Sequence, residues 1–237
     1  MLMNMSWEKG ILSIQWRQAS VKFLKKMNKS SYNIPSAYRP IRLTGVVGKL
    51  MERIVTSRLE TYLESNNILD KEQEGFRHFR LTTNALLTFV QSIFNGINQK
   101  ESTVAVLIDL EKAFDSVWRE GLLVELAHVG VKGKLWTWIN TFLSHREAHC
   151  VVNKFIGNWF QTGIGLPQRS VISPILFNVF IKDIFSQTKS DKIKFADDGT
   201  IWITGKEPTS LETEIQKDLV NTQMDQEVEN KHEYRKN

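Results

Sequence analysis

The stretch Lys194-Phe195-Ala196-Asp197-Asp198-Gly199 sets two adjacent carboxylates at the end of a short apolar run. Its flanks, residues 193–195 and 200–203, are rich in β-branched and aromatic side chains. An Asp-Asp-Gly between two such runs is the sequence form of a tight hairpin. The reading predicts both carboxylates at the hairpin tip, where side chains leave the sheet and meet solvent or a metal. Hard divalent cations such as magnesium take oxygen ligands, usually one or two carboxylates together with substrate phosphates. A solvated turn is the competing reading, because Asp-Gly is a common turn pair. A further carboxylate on a second strand would decide between them.

Such a strand lies upstream. At Ser102 helical spacing gives way to a continuous apolar run, 104–108, that reads as a buried strand ending at Asp109. If the two strands pair, Asp109, Asp197 and Asp198 converge and can bridge two divalent ions about 3.5–4 Å apart, the arrangement used for in-line phosphoryl transfer. One ion lowers the pKa of an attacking hydroxyl, and both stabilise charge developing on a leaving pyrophosphate. An amide could not neutralise such a metal pair. Between the strands, Gly165-Leu166-Pro167-Gln168 interrupts the pattern before a helix predicted over 173–186, with Pro174 in its tolerant first turn.

The rest of the chain supplies scaffolding. Residues 1–40 mix basic and aromatic side chains, and Pro35 and Pro40 exclude regular helix at their end. Val47, Leu50, Met51, Ile54, Val55, Leu59 and Leu63 recur at three- and four-residue spacing and predict a helix over 46–66. A second helix is predicted over 82–99. Helical spacing returns through Leu122, Leu123 and Leu126 and again through Trp136, Ile139 and Phe142. Residues 146–163 alternate and predict a hairpin turning at Gly157. After Pro208 a polar helix is expected to about residue 224, then a charged tail with no apolar face.

Composition sets the outer bounds. The 237 residues are 41% hydrophobic and 24% charged, ordinary values for a globular chain of one large or two small domains. Net charge is +5, and eleven basic residues face only three acidic ones in residues 1–60. A basic front and a mildly acidic remainder suit phosphate binding first and metal-binding carboxylates behind. Solvated helix faces would look the same. Cys150 is the only cysteine, which excludes an intrachain disulfide. With no signal peptide and no apolar run of membrane-spanning length, the expectation is an intracellular, non-membrane protein. His145, His149 and Cys150 could be drawn as a metal site, but no further ligand clusters with them.

Three segments, taken together, resemble the palm motifs of reverse transcriptases: Asp109-Leu-Glu-Lys-Ala-Phe114-Asp115; Gly165-Leu-Pro-Gln168 with Ser170-Val-Ile-Ser-Pro174-Ile-Leu-Phe177; and Phe195-Ala-Asp-Asp198. More narrowly they are similar to the enzymes of non-LTR, LINE-type, jockey-like retrotransposons. Tyr38-Arg39-Pro40-Ile41, Gly48-Lys-Leu-Met-Glu-Arg53 and Gly75-Phe76-Arg77 match that group's finger motifs in order and spacing. The similarity runs from about Trp16 to Leu219. It implies an α+β right-hand polymerase: an N-terminal extension over 1–15, fingers over 16–102, and a palm over 103–205. That palm would hold an antiparallel sheet backed by helices, with a fingers-type insertion around 145–170.

The resemblance further implies that Asp109, Asp197 and Asp198 hold two Mg2+ ions, with Mn2+ as a substitute, and that the Leu110 carbonyl is an additional ligand. Phe114 would be the sugar gate that rejects a ribose 2′-hydroxyl. Gln168 would contact the incoming nucleotide or its template partner. Arg39 and Arg77 are candidates for the triphosphate or template backbone, since guanidinium groups bind phosphate oxygens in bidentate fashion. Asp115, past the strand end, reads as structural. The implied partners are an RNA template, a DNA primer or target, and dNTPs. An element that copies itself into chromosomes would act in the nucleus; oligomeric state is left open.

Two departures from the family pattern matter. Arg169 stands where the Pro-Gln-Gly-Ser loop normally has glycine, a residue that permits unusual dihedrals and close approach. The family's downstream tryptophan and lysine segment is not found after Leu219. Residues 206–237 are therefore expected to form a truncated C-terminal helix and charged tail, with no thumb. The leading expectation is an RNA-directed DNA polymerase domain, a truncated copy. The alternative is a catalytically inactive nucleic-acid-binding fragment. An RNA-dependent RNA polymerase, which shares the paired aspartates, fits Phe114 poorly.

Overall fold

In the computed structural model, residues 2–231 are described, with side chains through Val220 and at Thr222. The fold class is mixed α+β, built from two sheets and eight helices among the described residues. The chain forms two compact parts; two of the three boundaries fall inside helices α3 (Val46–Ser65) and α7 (Ser173–Phe180), and the third falls in the turn at Ala113-Phe114. One part comprises the chain up to Tyr62 together with Phe114–Phe177. The other comprises Leu63–Ala113 and the chain from Asn178 onward.

The first part begins with α1 (Leu2–Lys9), α2 (Ile14–Arg17), β1 (Gln18–Lys25) and β2 (Tyr38–Leu43). Later in the chain it adds α5 (Arg119–His128), α6 (Gly133–Leu143), β4 (Glu147–Val152), β5 (Phe155–Ile156) and β6 (Phe160–Gln161). Its sheet runs β2-β1-β4-β5, with β6 also on β4. β1 pairs antiparallel with β2 and parallel with β4, Gln18 opposite Glu147 and Lys22 opposite Val151. Ala19, Val21 and Ala148 share a buried face at period two. The helical core includes Met51, Val55 and Leu59 of α3 and Trp138, Ile139 and Phe142 of α6, all fully buried. Each such side chain contributes about 1.5–3 kcal/mol by leaving water. Of the stripe predicted for α3, Val47, Leu50 and Ile54 are exposed, so the buried seam is narrower than the apolar pattern.

The buried Arg119 stitches the loop that follows this sheet. Its guanidinium donates to the carbonyls of Leu143, Thr162, Ile164 and Gly165 at 2.6–3.1 Å. Desolvation lowers its pKa from the ordinary value, so four carbonyl acceptors are what keep this charge in place.

The second part holds α4 (Thr82–Asn98) and β3 (Ser102–Asp109), then β7 (Asp191–Phe195), β8 (Asp198–Gly205) and α8 (Pro208–Lys231). Its sheet is antiparallel, in the order β3-β8-β7. Alternation divides the two faces. Val104, Val106 and Ile108 join Ile201 and Ile203 on one side and pack with Phe185, Ile215 and Leu219. On the other side α4 lies against Trp202, whose ring is 5.1 Å from Phe89 and whose indole N–H donates to Ser92 Oγ at 2.8 Å. α8 is not polar all round: Leu211, Ile215, Asp218 and Thr222 recur at helical spacing and are buried.

Four expectations are corrected here. The hairpin turn is Ala196-Asp197, because Phe195 pairs with Asp198, which is already the first residue of β8. Gly199 serves packing instead: a Cβ there would lie 2.7 Å from the Phe185 ring. The β4–β5 hairpin turns at Asn153-Lys154, with Asn153 at φ 55, and not at Gly157; asparagine tolerates that left-handed conformation. α7 stops at Phe180 instead of running to residue 186, and the carbonyls of Ile181 and Lys182 accept from Lys194 Nζ. α8 continues to Lys231 instead of ending near 224. The expected tail beyond it, 232–237, lies outside the described residues.

Candidate active site

The strand register places Asp109 directly opposite Asp198, at the end of β3 and the start of β8. By alternation both carboxylates leave the sheet on the face opposite Ile108, the side that also carries Leu107, which is 79% exposed. Asp109 and Asp198 are exposed and Asp197 is half-buried in the turn. Like charges directly opposite on paired strands oppose folding. Among the described residues no ion pair or side-chain hydrogen bond engages any of the three, and no three His, Cys, Asp or Glu side chains are close enough as they stand to enclose a metal. The donor set nonetheless fits a hard cation: carboxylates free of other partners, two of them facing each other across one register position.

Upstream of this pair, the loop Asp70 to Gly75 runs along β7. Lys194 N donates to Glu72 O at 2.9 Å, and Glu74 N donates to Lys194 O at 2.8 Å. Lys194 is 2% exposed and forms an ion pair with Asp70. Burial alone would raise the Asp70 carboxyl, but hydrogen bonds with Glu72 and with the Lys194 ammonium hold it at about 2. Neither Gln73 nor Lys194 figured among the sequence-predicted residues. A lysine within the apolar run 193–195, at a position that strand alternation turns to the core, was the available signal for the second.

The remaining predicted residues lie as follows. The Leu110 carbonyl accepts from Ala113 N at 3.3 Å within a turn. Phe114, in the first part, stacks on Phe177 at 4.6 Å and 19°. Gln168, also in the first part, donates through Nε2 to both carboxylate oxygens of Asp115 at 3.0 and 2.9 Å. Arg39 is exposed on β2, and among the described residues no ion pair engages it. Arg77 is different. Its Nε and Nη2 donate to both oxygens of Glu64 at 2.8 and 2.6 Å, its Nη1 donates to the carbonyls of Asp70 and Gln73, and its side chain is 6% exposed.

Arg169 adopts φ 61, the left-handed conformation natural to glycine, and its side chain is exposed. The loop is held around it by buried Glu52, whose Oε2 accepts from Ser170 Oγ at 2.6 Å and Val171 N at 2.7 Å. Arginine therefore pays a conformational cost of about 1–2 kcal/mol, against about 0.5–1 kcal/mol of extra unfolded-state entropy that glycine would bring. Arg169→Gly is expected to stabilise the chain by about 0.5–1 kcal/mol, read as a higher urea midpoint at unchanged slope.

The sequence profile of the family described as "Reverse transcriptase (RNA-dependent DNA polymerase)" matches residues 24–227. The chain belongs to this family. Among curated relatives of this reverse transcriptase domain, the RNA-directed DNA polymerase from mobile element jockey of Drosophila melanogaster is 29% identical, covering 83% of this chain and 21% of the relative. The probable RNA-directed DNA polymerase from transposon BS of the same organism is 30% identical over 72% of this chain and 18% of its own length. The chain thus spans about a fifth of the length of these non-LTR relatives. A solved structure, described as apo telomerase from Candida Tropicalis truncated from the C-terminal domain, aligns with a TM-score of 0.55 at 10% identity, covering 89% of this chain and 47% of that one. That likeness concerns the fold. No helix among the described residues is long and apolar enough to cross a membrane.

Proposed function

We propose that this reverse transcriptase domain extends a primer 3′-hydroxyl with dNTPs on an RNA template, and that Asp109, Asp197 and Asp198 hold two Mg2+ ions, or Mn2+ in their place. The observation that carries the reading is the register that sets Asp109 opposite Asp198, next to the turn that bears Asp197. When bound, the ions would supply charge neutralisation at the attacking and departing oxygens. The chain's own contribution is to hold two of the carboxylates opposite each other and free of competing partners. In this reading the β3-β8-β7 sheet is the palm sheet and the β2-β1-β4 sheet belongs to the fingers. Phe114 limits the sugar, Gln168 meets the nucleotide or its template partner, and exposed Arg39 is available to a phosphate. Arg77, with its donors spent on Glu64 and two carbonyls, is proposed as a fold contact instead of a phosphate ligand. A DNA primer or target and the nucleus are the proposed partner and compartment.

A labelled primer annealed to an RNA template, incubated with dNTPs and Mg2+, tests this directly. Template-dependent extension that stops on chelation is the expected result. Arg169, whose exposed side chain follows Gln168, favours one other reading, a domain that binds nucleic acid without copying it. Tight binding of the same duplex with no extension by the chain or by Arg169→Gly would establish that reading and overturn the first.

A further inference from the structure

The turn that carries Asp197 is strained. Phe195 pairs with Asp198, so Ala196 and Asp197 make a two-residue loop, with Ala196 at φ 60. That is the pattern of a type II′ turn, whose first central residue is ordinarily glycine. Alanine is disfavoured in that left-handed conformation, and such a conformation persists only where its surroundings enforce it.

The enforcement comes from one side chain. Gln73 is 2% exposed, and its carboxamide brackets Ala196: Oε1 accepts from Ala196 N at 3.1 Å, and Nε2 donates to Ala196 O at 3.2 Å. The same Oε1 accepts from Gly75 N at 2.9 Å, and Asn178 Nδ2 donates to Gly75 O at 2.9 Å. The approach is close enough that a Cβ on Gly75 would sit 2.1 Å from Ala196 N, so the residue beside the turn must be glycine. The carbonyl that Nε2 holds belongs to the peptide linking Ala196 to Asp197. Fixing that plane fixes the direction in which Asp197 leaves the chain.

We infer that Gln73 is a positioning residue, clamping both polar groups of Ala196 so that the strained turn aims Asp197 at the metal position. The inference rests on the reading of Asp197 as a metal-binding carboxylate. A side chain acting one contact away from a ligand typically changes metal affinity about 10–100-fold, and here the effect must pass through Asp197 alone.

The test is a double-mutant cycle read by Mn2+ titration with electron paramagnetic resonance, using the full chain, Gln73→Met, Asp197→Asn and the double variant. Gln73→Met keeps length and volume and removes the side chain's hydrogen bonds to Ala196 and Gly75. It is expected to weaken Mn2+ binding at least about tenfold in the parent and to have no effect in the Asp197→Asn background. Equal losses in both backgrounds, or no loss in either while Asp197→Asn itself weakens binding, would overturn the inference and leave the reading of Asp197 standing. Unchanged Mn2+ binding in Asp197→Asn would remove that reading, and the inference with it. Hydrogen exchange on the unmodified chain needs no variant to fold: the Ala196 amide should be protected as strongly as the Ile201 amide of the ladder. Fast exchange at Ala196 would mean the clamp does not exist.

Discussion

Asp198→Asn is expected to abolish Mg2+-dependent primer extension, by at least about a thousandfold, while raising the melting temperature slightly in metal-free buffer. Both effects come from one geometry. Asp109 and Asp198 face each other at a single register position on an exposed sheet end, with no basic side chain paired to either among the described residues. Their repulsion costs up to about 1 kcal/mol. Asparagine keeps the shape and hydrogen-bonding size of the side chain and removes the charge, so the apo chain gains what the repulsion cost. In the proposed reading the reaction loses a metal ligand that an amide cannot replace. Single-nucleotide incorporation and metal-free calorimetry, run on the same samples, check the two halves. A variant that is inactive and also less stable would point to a structural role for Asp198; one that extends primers normally would remove it from the active site.

Asp70→Asn is expected to cost about 3–5 kcal/mol of folding stability, the scale of an uncompensated buried charge. Lys194 stands 2% exposed over the Phe185 ring at 5.7 Å, and besides Asp70 its ammonium hydrogen-bonds, among the described residues, to the carbonyls of Ile181 and Lys182 at 3.4 and 3.2 Å. Without the carboxylate it is left with the weaker attraction of Glu72. Adding Lys194→Met should recover most of the loss, because an apolar side chain of similar volume needs no partner there. The pair also sets a pH dependence. The Asp70 carboxyl is held at about 2, below the ordinary 3.8, so the folded state binds its proton less readily than the unfolded state does. Its contribution is then complete above about pH 4 and is lost as pH falls toward 2. Urea unfolding of the parent should show that decline, and Asp70→Asn should flatten it.

What could be read from the sequence was local. The apolar run 104–108 became β3, and the predicted helices over 46–66 and 82–99 end within a residue of α3 and α4. Asp109 at a strand end and the Asp197-Asp198 pair at a hairpin were visible as such, since period-two alternation needs no knowledge of distant residues. Pairing was not visible. Nothing near Val104 names Ile203 as its neighbour, nor does Gln18 announce Glu147, because ladder hydrogen bonds are made by backbone that every residue shares. The same blindness explains the turn. Asp197-Asp198 looked like its tip, yet Gly199 is pressed against Phe185 and the turn lies one residue earlier, at Ala196-Asp197. Arg77 was read by its chemistry and the motif it sits in; its partner Glu64 stands thirteen residues earlier, near the end of α3. Gln73 had no local signal at all, since its significance comes from a strand more than a hundred residues later.

The parallel seam between β1 and β4 has a consequence for how the domain comes into being. Gln18 cannot meet Glu147 until the intervening chain exists, and at translation rates of about 5–20 residues per second that interval is on the order of ten seconds. For that time the β1–β2 hairpin presents residues 18–22 as a bare edge, beside Phe23 and Leu24, which β4 never covers. An unpaired edge carrying apolar side chains is a template for the wrong strand. The yield of native domain should therefore depend on what shields residues 18–25 on the ribosome, and slow codons ahead of β4 should lower it.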